Sequence, residues 1–239
     1  MNIIERHNTT KPLFIFLSLQ AVHWPFSVPK KYIHKNNHFK KPTRGIYAGM
    51  VTCMDEAICN ITQALKNNGM WDNTVFILST DNGGPLKDYK DPEFLKSTNT
   101  KSVSSNWPLR GGKGSFWEGG IRGAAFVHSP LLMPHVRGTE SRELMGMVDW
   151  LPTIAGYLGK GNIVNLTLDG YNIWPAISQG DKSPRQELLH YVVRGDKKVY
   201  GALRFGDWKL LQPPPGGNLN FHVKHSLHVP PPEMNITLK

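Results

Sequence analysis

A carboxylate, an amide and two glycines follow one another in Ser79-Thr80-Asp81-Asn82-Gly83-Gly84, directly after the apolar run Val75–Ser79. Asp81 and Asn82 offer oxygen donors of the kind that a hard cation such as Ca2+ or Mg2+ selects; the plainer alternative for Asn82-Gly83 is an ordinary hairpin turn. A second element, Arg110-Gly111-Gly112-Lys113-Gly114-Ser115-Phe116-Trp117-Glu118-Gly119-Gly120-Ile121-Arg122-Gly123, interleaves glycines with cations. Its backbone N–H groups, Lys113 and the two arginines could wrap an oxyanion. It is neither a Walker loop, because Gly114 holds the Ser/Thr place, nor a dinucleotide fingerprint, because Trp117 stands where the third glycine belongs. A flexible basic surface loop is the competing reading, against which Phe116 and Trp117 argue for packing. His23 stands just past another apolar run, where it could donate a proton or contact an anion. A hard-metal pair, a histidine and a glycine-cradled lysine together describe a site for a tetrahedral oxyanion, a phosphate or sulfate ester.

The elements that must hold these residues are legible as period and punctuation. Leu13–Leu19, Val75–Ser79 and Gly123–His128 are continuous apolar runs of strand length, the pattern of fully buried parallel strands. Between the first two, Ile46, Met50, Cys53, Ala57, Ile61 and Leu65 recur at helical spacing over about 44–68, and Gly69 is placed to cap the helix. Strand, helix and strand make a βαβ unit, so the expected fold is α/β, a mostly parallel sheet layered by helices. The candidate residues then fall at carboxyl ends of strands, where such sheets bind ligands. A second helix is expected from Ser141, with Leu144, Val148, Leu151, Ala155 and Leu158 in register and Pro152 in a first turn. Leu188–Val193 and Tyr200–Leu211 alternate like antiparallel strands, which predicts a small C-terminal α+β subdomain over 160–211 after a main domain over 1–159. Residues 212–239 are rich in Pro and His and are expected to be irregular. Within them His222, His225 and His228 have a spacing a transition metal could use, without the helical pattern or carboxylates that would support one.

The 239 residues carry a formal net charge of +10, which favours an anionic partner. No nucleic-acid motif accompanies the scattered basic residues. Cys53 and Cys59 lie six residues apart on the expected helix, on different faces and out of disulfide reach. Four N-x-S/T sequons, at Asn8, Asn60, Asn165 and Asn235, are candidate glycosylation sites. The apolar run after Lys11 is too short to span a bilayer, and read as a strand it is not a targeting segment.

Beyond these features, several ordered blocks resemble the arylsulfatase B branch of the sulfatases. They are Ala21-Val22-His23-x-Pro25, Tyr47-Ala48-Gly49-Met50-Val51 with Met54-Asp55-Glu56, Thr80–Gly84, Asn106-Trp107-Pro108-Leu109-Arg110-Gly111 with Lys113, Trp117–Gly120 with Arg122-Gly123, and Asp149-Trp150-Leu151-Pro152-Thr153. The resemblance implies a type I sulfatase of the alkaline phosphatase superfamily, lysosomal or secreted, acting on a sulfated small molecule or glycosaminoglycan-type substrate. It also implies that Asp81 and Asn82 ligate Ca2+, and that His23 and Lys113 contact the sulfate and stabilise the leaving oxygen.

Departures from the family pattern are equally plain. The family nucleophile is a formylglycine made from the Cys of C-x-P-x-R, and neither Cys53 nor Cys59 sits in that motif. The expected reading is therefore the C-terminal portion of a sulfatase, inactive by itself. Its rivals are a non-catalytic anion-binding relative and a phosphodiesterase of the same superfamily. Pro85–Ser105 is a polar insertion beginning at the metal motif, and Trp24 replaces an acidic residue expected after the histidine.

Overall fold

The computed structural model describes residues 2–86, 104–157, 167–194, 199–212, 227–228 and 236–238. They divide into two compact units, one of residues 1–74 with 85–105, the other of 75–84 with 106–239.

In the first unit, the regular structure among the described residues is helices α1 (Asn2–Glu5), α2 (Lys30–Lys35) and α3 (Pro42–Asn67) with a short 3-10 helix at Trp71–Asn73. Pro42 opens α3 at a first-turn position, where its fixed φ suits a helix and its missing N–H costs nothing. The expected end also holds: Gly69 adopts φ +64°, and the Gly69 and Met70 N–H groups close onto the Lys66 and Leu65 carbonyls at 3.0 and 2.9 Å. Ala64 and Leu65 of α3 pack with Ile4 of α1, backed by Ile61, Met70 and Trp71. Cys53 and Cys59 are both free thiols.

Leu13–Leu19 departs from expectation. It forms no strand, and Phe14, Phe16 and Leu17 are 69%, 83% and 53% exposed. An apolar run becomes a buried strand only where neighbouring strands complete its hydrogen-bond ladder, and no described strand pairs with it.

The second unit contains two sheets. In the first the strand order is β1 (Phe76–Ser79), β2 (Ala125–His128), β8 (Ile236–Leu238), β3 (Glu140–Ser141). The runs Val75–Ser79 and Gly123–His128 were both expected as strands of a mostly parallel sheet; as β1 and β2 they pair antiparallel, Phe76 opposite His128 and Ser79 opposite Ala125. Continuous apolar runs suit strands covered on both faces, whereas β1 and β2 are only partly buried apart from Val127, so the run alone did not identify the pairing. The parallel contact in this sheet is β2 with β8. Val127 of β2 centres a core with Leu132, Val136, Ile173, Ala176 and Ile177, the last two from α6 (Trp174–Gln179).

The helix expected from Ser141 begins later, as α5 (Trp150–Tyr157), with Pro152 in its first turn. The cause is Asp149, which is fully buried. Its carboxylate accepts the Gly146 and Tyr171 N–H groups at 2.6 and 2.7 Å and a two-pronged ion pair from Arg185, both bonds 2.7 Å. The antiparallel expectation is met in the second sheet, β4 (Glu187–Arg194), β5 (Val199–Phe205), β6 (Trp208–Gln212) and β7 (Leu227–His228) in that order. The run Tyr200–Leu211 is two strands joined at Gly206, whose φ of +53° makes the turn. The tail expected as irregular contributes β7 and β8, while His222, His225, Asn165, Asn235 and Leu158 lie outside the described residues.

Candidate functional site

β1 ends at Ser79, and the chain leaves it through Thr80, whose N–H donates to the Ala124 carbonyl at 2.9 Å and whose hydroxyl oxygen accepts the Ala124 N–H at 2.8 Å. This fastens the start of the Asp81–Gly84 turn to the entrance of β2. Asn82-Gly83 is therefore not the tip of a hairpin, since β1 and β2 are joined through the long segment between them.

Beyond Thr80 the turn interlocks with the glycine-rich element. Gly83 N–H donates to the Gly120 carbonyl at 3.0 Å, Lys113 N–H to the Gly84 carbonyl at 3.1 Å, and Gly119 N–H to the Arg110 carbonyl at 2.8 Å. Glycine is needed here for close approach of backbones. A β-carbon on Gly83 would overlap the Gly119 carbonyl, one on Gly119 would lie 2.7 Å from the Arg110 oxygen, and one on Gly123 2.8 Å from the Thr80 hydroxyl. The flexible surface loop is thereby ruled out.

Asn106 is a residue whose role was missed. Its Nδ2 donates to the Gly84 carbonyl at 2.8 Å and to the Gly111 carbonyl at 3.1 Å, while its Oδ1 accepts the Gly84 N–H at 3.0 Å. One amide side chain thus clamps the Asp81–Gly84 turn to the lysine loop. Its place at the head of the Asn106–Gly111 block was the only available signal.

Three backbone N–H groups of the expected anion cradle are engaged within the protein. Gly112 N–H is given to the Ser115 hydroxyl at 3.2 Å, Ser115 N–H to the Gly112 carbonyl at 3.0 Å, and Lys113 N–H to Gly84. These three donors serve the packing of the loop itself and its junction with Gly84. Arg110 lies over the Trp117 ring, 3.9 Å from its centroid.

Asp81 and Asn82 are tied locally by the turn's own hydrogen bonds. Asp81 Oδ1 accepts the Asn82 N–H at 2.7 Å and Asn82 Nδ2 donates to the Gly83 carbonyl at 2.9 Å. Asp81 Oδ2 and Asn82 Oδ1 have no partner among the described residues. The donors fit Ca2+ in kind but not in number, since Ca2+ takes 6–8 oxygens, and no group of three or more His, Cys, Asp or Glu is placed to hold a metal among the described residues.

Below the loop, Glu118 opens α4 (Glu118–Ile121) and is buried with Lys209, whose Nζ donates to Oε1 at 2.6 Å; Arg204 Nη1 donates to Oε2 at 3.1 Å. Burial pushes the Glu118 carboxyl up, but Lys209 and Arg204 outweigh it and hold the carboxyl below its usual range. Burial lowers the neighbouring His190 to about 4, with Lys209 adding to the effect, so it is neutral near pH 7. Its Nε2 is buried without a partner among the described residues.

Asp81, Asn82 and Lys113 are thus joined in one backbone network. His23 belongs to the other unit, exposed, with its Nδ1 2.9 Å from the Trp24 carbonyl oxygen. Asn8 and Asn60 are exposed, and the Asn8 Oδ1 accepts both the N–H and the hydroxyl of Thr10.

A family model described as Sulfatase matches residues 1–160. Arylsulfatase J of Mus musculus is 42% identical over 207 residues, covering 86% of this chain and 31% of the relative. Arylsulfatase A of Homo sapiens is 28% identical over 201 residues, 83% of this chain and 35% of the relative. The chain therefore spans about a third of the length of these curated relatives. Among solved structures, that of Ps i-CgsB in complex with k-i-k-neocarrahexaose superposes with a TM-score of 0.63 at 29% identity, over 80% of this chain and 39% of that one.

Proposed function

This chain belongs to the sulfatase family, and on that premise we propose that it supplies the leaving-group and partial metal-binding portion of a sulfuric ester hydrolase resembling arylsulfatase B. The observation that carries the reading is the Lys113 N–H to Gly84 carbonyl bond, which ties the lysine loop to the Asp81-Asn82 turn. Residues 1–159 are read as part of an alkaline phosphatase-like catalytic domain and 160–211 as a small appended subdomain.

We assign Lys113 to the sulfate and its bridging oxygen, where negative charge grows as the S–O bond breaks and a fixed cation lowers the barrier. His23, in the other unit, is read from the family resemblance as a proton donor. Asp81 and Asn82 would hold part of a Ca2+ site, and a bound cation there would polarise the sulfuryl oxygens. Two oxygens do not complete such a site. The nucleophile is not among these residues: Cys53 and Cys59 both lie in α3, outside any C-x-P-x-R. The formal net charge of +10 and the oligosaccharide bound by Ps i-CgsB support a sulfated carbohydrate as substrate. The sequons at Asn8, Asn60, Asn165 and Asn235 are proposed to carry glycans in a lysosomal or secreted setting; no described helix is long and apolar enough to cross a membrane.

The test compares binding of 4-nitrophenyl sulfate with that of bis(4-nitrophenyl) phosphate. Preference for the sulfate monoester, lost in Lys113→Ala, supports the reading. Preference for the phosphodiester would transfer the site to the phosphodiesterase branch of the superfamily.

A further inference from the structure

The charged residues Lys209 and Arg204 point to the inner face of their sheet, while Phe205, Trp208 and Leu210 beside them are more than half exposed. Glu118 and Lys209 are 6% and 4% exposed, next to the apolar contact of Trp117 and Phe116 with Ala202 and Leu211. Burying such an ion pair returns little net stability, because desolvation offsets the attraction, whereas its geometry is demanding. A buried pair of this kind fixes position.

What Glu118 fixes is adjacent to it on both sides. Trp117, just before it, carries the Arg110 guanidinium on its ring at 3.9 Å. Gly119, just after it, donates to the Arg110 carbonyl at 2.8 Å, and Gly120 accepts from Gly83 at 3.0 Å. Arg110 begins the loop that carries Lys113, and Gly83 belongs to the turn that carries Asp81 and Asn82. Both arms of the candidate site thus meet within two residues of one carboxylate, which is braced from the β5–β6 hairpin.

We propose that Glu118, held by Lys209 and Arg204, is a positioning residue that sets the Arg110–Gly114 loop and through it the placement of Lys113 on the bound anion. The proposal rests on the reading of Lys113 as an anion contact. Nothing in it places Glu118 against the ligand: its two carboxylate oxygens are occupied by Lys209 and Arg204.

Inorganic sulfate is the probe, titrated calorimetrically into the whole 239-residue chain. Lys113→Ala should lose most of the affinity. Glu118→Gln, which keeps the shape but removes the charge that holds both cations, should weaken sulfate binding ~10-fold through displacement of the loop. The double variant Glu118→Gln with Lys209→Met leaves no unpaired lysine in the interior, so it keeps the test valid should Glu118→Gln fail to fold; it should show the same weakening. Ile177→Ala, a cavity in the separate core around Val127, should lower the melting temperature while leaving the Kd within about twofold, since distant sites act independently. Wild-type affinity in both Glu118 variants alongside a defective Lys113→Ala would overturn the inference alone, as would equal weakening by Ile177→Ala. No sulfate binding by the wild type, or wild-type affinity in Lys113→Ala, would overturn the anion reading and the inference with it.

Discussion

Gly83 and Gly119 face each other so closely that a β-carbon on Gly83 would overlap the Gly119 carbonyl oxygen and stand 2.7 Å from its carbon. The contact seals the Asp81–Gly84 turn against the lysine loop, with the Gly83 to Gly120 hydrogen bond beside it.

Gly83→Ala must therefore separate two backbones, because neither neighbour is a side chain that can swing away. A destabilisation of about 3 kcal/mol is expected, with sulfate affinity falling as well. Chemical denaturation of the two proteins checks it; an unchanged midpoint and slope would show that the turn does not pack on Gly119.

Asp149→Ala should be among the most damaging single changes. It removes both bonds to Arg185 and leaves a buried guanidinium, together with the Gly146 and Tyr171 N–H groups, unmatched. Breaking one side of a buried pair costs roughly 3–5 kcal/mol. Thermal unfolding reads the loss, and replacement of both Asp149 and Arg185 by apolar residues should recover part of it.

Acid should destabilise the chain in two stages. His190 has its folded pKa depressed from 6.5 to about 4, so the unfolded state takes up a proton that the folded state refuses, and stability falls as pH drops from 6.5 toward 4. The Glu118 carboxyl is depressed below 4.5, so the stability it contributes is present above that pH and is lost as pH falls through the folded value. Melting temperature measured from pH 7 to 3.5 should decline throughout. His190→Gln should flatten the part above pH 4.5 and leave the lower part intact.

Asp81, Asn82 and Lys113 stood out in the sequence as an oxygen pair and a lysine set among glycines, and the structure joins their two segments in one backbone network; the roles proposed for them rest on the family resemblance. The α3 helix was readable from one uninterrupted period and Gly69. Strand direction was not, because Val75–Ser79 and Gly123–His128 look alike in either pairing. Leu13–Leu19 failed for a related reason: an apolar run states a need for partners without supplying them. The start of α5 was hidden because Asp149, Gly146 and Arg185 act across 36 residues, beyond any local pattern.

Calcium should bind weakly, with a Kd on the order of 10⁻⁴–10⁻³ M, since Asp81 and Asn82 supply only part of a coordination sphere. Asp81→Ala should abolish what binding there is. Micromolar affinity, or affinity indifferent to Asp81, would contradict the assignment of that turn.

The central claim is that these residues recognise a sulfate ester through Lys113 and do not cleave it. Its most direct test is calorimetric titration of the chain with 4-nitrophenyl sulfate in the presence of Ca2+, with released sulfate quantified in the same samples. Saturable binding that disappears in Lys113→Ala, with no sulfate released above the uncatalysed background, is the predicted result. Binding unaffected by Lys113→Ala, or catalytic release of sulfate by the chain alone, would contradict it.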